Sequence, residues 1–148
     1  MRSRHLWSGL ALAGWLVIWS VVVPAVAGSE HRVELDLWLD GVHQGEHQLD
    51  LKAGEPGELV HEPHGADSGW RLVFEIESPD PAEGAPSNAL WVHVEIHHKQ
   101  DGQWDMLADS LLGVVEGRPA TLSVVEGPAD DRGPDGSLVF LTLRTVSR

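Results

Sequence analysis

Cysteine is absent from this chain of 148 residues. Without a thiol the chain can form no disulfide bond, no thiolate metal site and no cysteine nucleophile. Attachment of a lipid to an N-terminal cysteine is excluded for the same reason. The fold must therefore be stabilised by the burial of apolar side chains and by hydrogen bonds.

Long apolar runs are lacking except at the N-terminus, where residues 6–23 are apolar but for glycines and two serines. A basic head precedes this run, and Ala25 and Ala27 form a small-x-small exit. This pattern predicts a secretory signal peptide over residues 1–27, cleaved after Ala27, with one domain over 28–148. An uncleaved anchor is the alternative, because the run approaches the ~20 residues that span a bilayer. A disulfide-free exported chain favours a bacterial envelope protein, periplasmic or extracellular.

Basic residues are few: the chain has 10 Lys and Arg against 23 Asp and Glu. Arg2 and Arg4 belong to the predicted signal peptide, so the mature charge is (10 − 2) − 23 = −15 with neutral histidines. Nucleic acids and anionic lipids both require basic surfaces. We therefore expect no nucleic-acid partner and no membrane contact after cleavage, and we expect partners to be cations or basic protein surfaces.

Helical periodicity is absent from every stretch of 11 or more residues, and two-residue alternation takes its place. In residues 89–99 one side is apolar and the other is largely polar, as in a strand with one buried face. The inward set is Leu90, Val92, Val94 and Ile96, and the outward set is Trp91, His93, Glu95 and His97. Further strands are predicted at 33–39, 46–52, 58–62, 70–77, 104–108, 111–116, 120–126 and 137–146.

Eight or nine short strands separated by turn signals predict an all-β fold. An antiparallel β-sandwich is favoured, and an open β-barrel is the alternative. The closing strand at 137–146 is apolar on both sides, which predicts an interior position in a sheet. No internal repeat is evident along the sequence.

The turn at Asp101-Gly102 decides where two large side chains point. A two-residue turn would place Trp104 and Met106 on the outward face, whereas a three-residue loop, 100–102, would bury both. Because burial of a large apolar side chain is worth about 1.5–3 kcal/mol, we expect the three-residue loop, with Ile96 paired with Met106.

Histidine is abundant, with nine in the chain. Imidazole is a common metal ligand, so His93, Glu95 and His97 form a candidate Zn²⁺ or Cu²⁺ site. Residues i and i+4 of a strand lie about 13 Å apart. One ion therefore needs Glu95, one of the two histidines and a ligand from a neighbouring strand. Other groupings are His61 with His64 and His43 with His47. The alternative is that these histidines are ordinary surface residues.

Catalytic patterns are scarce. Ser68 and Ser110 follow aspartates, but the Gly-x-Ser-x-Gly elbow of hydrolases is absent. The acidic loop 130–136 has Gly133 where a calcium loop needs an oxygen ligand. We therefore expect a non-enzymatic protein with no catalytic residue, and a hydrolase is a remote alternative.

Four tryptophans follow the predicted signal peptide. Trp70 and Trp104 are predicted to point inward, whereas Trp38 and Trp91 fall on the polar side of their strands. Exposed tryptophans often mark a contact surface. We therefore predict an accessory or protein-interaction module whose contact surface carries Trp38 and Trp91 beside the His93 group. An edge strand that accepts a partner strand is a further possibility.

Overall fold

The alternating segments form eight strands in a computed structural model that describes residues 28–63, 67–127 and 133–147. The predicted signal peptide lies outside these residues. The strands are β1 Glu30–Leu39, β2 Val42–Lys52, β3 Gly57–His61, β4 Gly69–Glu77, β5 Ala89–Gln100, β6 Gln103–Val115, β7 Pro119–Val124 and β8 Val139–Ser147. Two single-turn 3₁₀ helices, Pro81–Glu83 and Pro134–Gly136, lie in loops. Within the described part of the chain no helix is long and apolar enough to cross a bilayer.

The eight strands form two antiparallel sheets of four, as expected for a β-sandwich. Sheet I has the order β2-β1-β8-β7, and sheet II has the order β3-β4-β5-β6. Over the described residues every ladder lies within one sheet, so the strands do not close into a single barrel. The closing strand β8 lies between β1 and β7, which confirms its predicted interior position.

The core lies between the sheets and consists of the inward positions of the alternating strands. The inward residues of β5 confirm the prediction, because Val92, Val94 and Ile96 are fully buried. Trp70 is also buried, as predicted, and it stacks on His98 with ring centroids 4.2 Å apart. The buried apolar set is Val33, Leu35, Leu37, Leu39, Leu51, Trp70, Leu72, Phe74, Ile76, Leu90, Val92, Val94, Ile96, Val114, Val139, Leu141 and Leu143.

The predicted three-residue loop between β5 and β6 is wrong. A two-residue turn, Asp101-Gly102, joins them, and both of its residues have positive φ angles of 50° and 78°. Lys99 therefore pairs with Trp104. A bulge at Leu107 then restores the inward phase for the rest of β6, because Ile96 pairs with Ala108. The preference of Asp-Gly for a two-residue turn therefore outweighs the burial of Trp104 and Met106. The one extra residue at the bulge, Leu107, limits this change of face to the start of β6.

β6 also differs from the prediction in length. The sequence suggested separate strands at 104–108 and 111–116, but one strand runs from Gln103 to Val115. Asp109 and Ser110 suggested a break in the strand, but both take part in the ladder with β5. Asp109 points outward opposite Glu95, and Ser110 points inward opposite Val94. The chain accordingly has eight strands in its described part.

The topology contains a repeat that the sequence did not reveal. Strands β1–β4 correspond in order to strands β5–β8. When each strand of sheet I is replaced by its counterpart, the order β2-β1-β8-β7 becomes β6-β5-β4-β3, which is sheet II read from its other edge. In each half an Asp-Gly turn of positive φ, Asp40-Gly41 or Asp101-Gly102, joins the first strand to the second. Both halves change sheets at a Gly-x-Pro segment whose glycine N–H donates across the sandwich, from Gly54 to Ile76 and from Gly117 to Thr145. The fold is thus two equivalent four-stranded units related by a pseudo-twofold axis.

Candidate functional site

The candidate site lies on the outer face of sheet II, the face turned away from the core. β5 runs through it between β4 and β6, so alternate residues of the three strands form rows across the sheet. One row contains Glu75, His93 and Leu111, and the next contains Glu95 and Asp109. Strand alternation therefore brings the predicted His93 group together with carboxylates from both neighbouring strands.

His93 contacts Asp109 of β6 rather than Glu95 or His97. Its Nε2 hydrogen-bonds to Asp109 Oδ1, and its side chain is about one-third exposed. This hydrogen bond raises the pKa of His93, partial burial opposes the rise, and the charges of Asp109, Glu95 and Glu75 add to it. The imidazole is therefore held in its protonated form over a wider pH range than a free histidine.

His97 and Glu95 form a second pair, with Nε2 and Oε2 3.2 Å apart. His97 faces outward as predicted, yet its side chain is only 11% exposed. The site thus has two separate histidine–carboxylate pairs. Among the described residues no group of three or more potential metal-ligating side chains lies close enough to hold an ion. The Zn²⁺ or Cu²⁺ site stays a prediction.

Trp104 of β6 lies on the same outer face, one row along from His97. Its ring centroid lies 5.3 Å from the Arg71 guanidinium carbon and 5.5 Å from Lys99 Nζ. Arg71 is the cross-strand neighbour of His97, and Lys99 is that of Trp104. The prediction that Trp104 enters the core is therefore wrong: the indole lies on the outer face, and two basic side chains shield it.

The two tryptophans of the predicted contact surface lie on opposite sides of the molecule. Trp91 lies on the outer face of sheet II against Gly113, where an added β-carbon would stand 2.8 Å from its ring. Trp38 lies on the outer face of sheet I, near the rings of His43 and Phe140. Only Trp91 therefore shares a surface with His93, Glu95 and His97.

Exposed apolar side chains are concentrated on β6. Leu111 is 63% exposed, Met106 is 56% exposed and Leu107 is 41% exposed. We refer to these three as the β6 apolar side chains. Met106 was predicted to be buried, and it is exposed because the two-residue turn places it opposite the outward His97. The Asp101-Gly102 dipeptide was the signal that could have found Met106, since Asp-Gly strongly favours a two-residue turn.

The remaining candidates are dispersed. Ser110 takes an inward position opposite Val94, and among the described residues neither it nor Ser68 hydrogen-bonds to a histidine. His43 contacts Asp36 on sheet I. His64 and the first three residues of the acidic loop, 130–132, lie outside the described residues.

One cleft of about 440 Å³ lies at the end of the sandwich under the loop between β4 and β5. The buried His31 lines it, with Nδ1 3.6 Å from Glu116 Oε1 and Nε2 2.8 Å from Ser29 Oγ. Three prolines, Pro79, Pro81 and Pro86, line the side formed by the loop. Nε2 is therefore hydrogen-bonded, whereas Nδ1 is buried without a hydrogen-bond partner among the described residues.

Comparison with protein families, with curated proteins and with solved structures finds no match to this chain.

Proposed function

We propose that this chain is an exported, non-enzymatic β-sandwich protein that serves as an interaction module of the bacterial cell envelope. Its contact surface is the outer face of sheet II beside β6. The single observation that carries this proposal is the exposure of Met106, Leu107 and Leu111 on one strand. Large apolar side chains gathered on one exposed strand favour a protein contact over solvent.

The composition around these side chains supports the same proposal. Trp91 and Trp104 lie on the same face, and Arg71 packs against Trp104. Aromatic residues, methionine and arginine are enriched in protein interfaces. Asp109 and Glu95 lie beside them and supply a polar rim that selects a basic partner.

Site-specific photocrosslinking in the producing cell tests the contact surface. A benzophenone amino acid replaces Met106 or Leu111 in turn, and matched controls carry it at Gln48 and Thr142 on the outer face of sheet I. We expect one discrete adduct from the β6 positions and none from the controls. Equal adducts from both faces, or no adduct from β6, would remove this surface from consideration.

Export has its own test. The mass of the protein recovered from outside the cytoplasm is expected to equal that of a chain beginning at Gly28, since the small-x-small pattern ends at Ala27. Recovery of the intact chain in the membrane fraction would instead support the uncleaved anchor.

A Zn²⁺ or Cu²⁺ binding protein is the second candidate. The observation in its favour is that Asp109, a carboxylate from a neighbouring strand, lies beside His93 as the candidate site requires. Thermal melts with stoichiometric metal test it, because a ligand that binds only the folded state raises the melting temperature. We expect a site-specific binder to gain several degrees and His93→Ala to abolish the gain. An unchanged melt of the parent protein would rule the candidate out.

A further inference from the structure

Strand β6 differs from the other three edge strands of the sandwich in how it is protected. Edge strands are normally blunted by short length, proline or charge, because an open ladder pairs readily with another chain. β3 has 5 residues and β7 has 6, starting at Pro119. β6 has 13 residues and carries Met106, Leu107 and Leu111, and its charged residues are two aspartates, Asp105 and Asp109, with no lysine or arginine.

The pseudo-twofold axis supplies an internal comparison. β2 is the equivalent of β6, and Gln48 lies six residues before Gly54 as Leu111 lies six before Gly117. Both positions point outward, opposite Glu34 and His93 respectively. The edge of one half is therefore polar where the edge of the other is apolar, although the backbone path is the same.

The core is also incompletely covered along this side of the sandwich. β6 and β7 lie next to each other at the sheet edges. Their inward side chains Leu112 and Leu122 are only partly buried, although they pack against the core. A further strand beside β6 would bury them with its own inward side chains. The regular part of β6 after the bulge at Leu107 has the length for a ladder of about eight residues.

We infer that β6 accepts an extended segment of a basic partner protein, which adds as a fifth strand to sheet II. This inference rests on the proposed function and specifies how the partner binds. The segment alternates apolar side chains, which cover Leu112 and Leu122, with outward side chains that include lysine or arginine beside Asp109. Main-chain hydrogen bonds hold the segment, and the side chains select it.

Charge decides against a second copy of this chain as the occupant. The chain has a net charge of −13 with neutral histidines. β6 carries Asp105 and Asp109 and no lysine or arginine, and His93 pairs with only the second of these aspartates, so two β6 strands brought together would place carboxylates of the same sign near one another. A basic segment meets the same groups with favourable electrostatics.

The test selects a phage-displayed library of random twelve-residue peptides on the purified full-length protein. We expect the enriched peptides to alternate apolar with other residues and to carry lysine or arginine. With the best synthetic peptide, Leu111→Gln is expected to weaken binding about tenfold. The matched control Gln48→Ala, at the equivalent position of β2, is expected to leave the affinity unchanged.

Two N-methylated forms of that peptide then test strand addition itself. One form is methylated at the odd-numbered amides and the other at the even-numbered amides. Alternate amides of a strand point to opposite edges. We therefore expect one form to lose binding more than tenfold and the other to retain it. Equal affinity of the two forms, or enrichment of acidic peptides, would overturn the inference while leaving a protein-contact surface intact. If the parent protein enriches no peptide more strongly than the Leu111→Gln variant does, the inference and the proposed function are both overturned.

Discussion

Trp104 of β6 reaches across β5 to Gly69 of β4, where an added β-carbon would stand 3.4 Å from the indole Cη2. The indole therefore lies flat on the outer face of sheet II, over the strand between them. Arg71 and Lys99 flank its ring, and His97, the cross-strand neighbour of Arg71, is buried on the same face. The outer face thus has a small packed cluster of its own, separate from the core.

The Arg71–Trp104 contact predicts a measurable coupling. In a double-mutant cycle with Arg71→Met and Trp104→Leu, we expect a coupling free energy of about 0.5–1 kcal/mol, the range of cation–π contacts at exposed sites. Urea unfolding of the four proteins measures it. Arg32→Met on the other sheet is the control partner for Trp104→Leu, and additive effects are expected there. Additivity for Arg71 as well would show that the contact contributes no stability.

Gly113 gives a prediction about Trp91. A β-carbon at this position would stand 2.8 Å from Trp91 Cζ3, so Gly113→Ala must displace the indole. We expect a red-shifted tryptophan emission and a loss of about 1 kcal/mol in unfolding free energy, the low end of overpacking costs. Gly133→Ala is the control, since nothing lies within 4 Å of its β-carbon. An unshifted emission spectrum for Gly113→Ala would contradict the packing of Trp91 on β6.

The two Asp-Gly turns predict unequal responses to the same substitution. Gly41 and Gly102 have similar positive φ angles, +74° and +78°, so Gly→Ala carries the same backbone strain of about 1 kcal/mol in each. A β-carbon at Gly41 would also lie 3.2 Å from the Asp135 carbonyl oxygen, whereas Gly102 has open space. Gly41→Ala is therefore expected to lower the melting temperature more than Gly102→Ala. Equal shifts would mean that the loop at Asp135 moves aside freely.

The His93–Asp109 hydrogen bond predicts a pH dependence. Because this bond raises the pKa of His93 above its ordinary value of 6.5, its contribution to stability is complete below about pH 6.5. That contribution is lost as the pH rises through the folded-state pKa. Asp109→Asn should lower the pKa of His93 in an NMR titration, and its stability deficit should be larger at pH 5.5 than at pH 8.5. A deficit that is the same at both pH values would contradict this assignment.

Most of the fold could be predicted from the sequence because burial imposes a two-residue period on every strand. Leu72 and Val92 follow that period, and both are fully buried. Trp104 could not be placed by the same rule. Its outward position follows from the two-residue turn at Asp101-Gly102, and the bulge at Leu107, which returns the rest of β6 to the inward phase, leaves no periodic signal in the sequence.

The candidate site was predicted only in part, for a related reason. Alternation placed His93, Glu95 and His97 on one face, but it could not identify Asp109 as the partner of His93, because that depends on the register with β6. The internal repeat was invisible because its halves share only turn residues, Asp-Gly and Gly-x-Pro. Positive φ angles require glycine there, whereas the strands require nothing more specific than alternation.

The first and last described strands, β1 and β8, are paired neighbours in sheet I. His31 near the start of β1 pairs with Ser147 at the end of β8, just as Glu77 of β4 pairs with Trp91 of β5 across the connection between the two halves. The open end between β1 and β8 and the connection between β4 and β5 thus occupy equivalent places in the circuit of eight described strands. A circular permutant that joined Ser147 to Gly28 and opened within 78–88 would begin at β5 and keep every ladder, with the order of the two halves in the gene reversed.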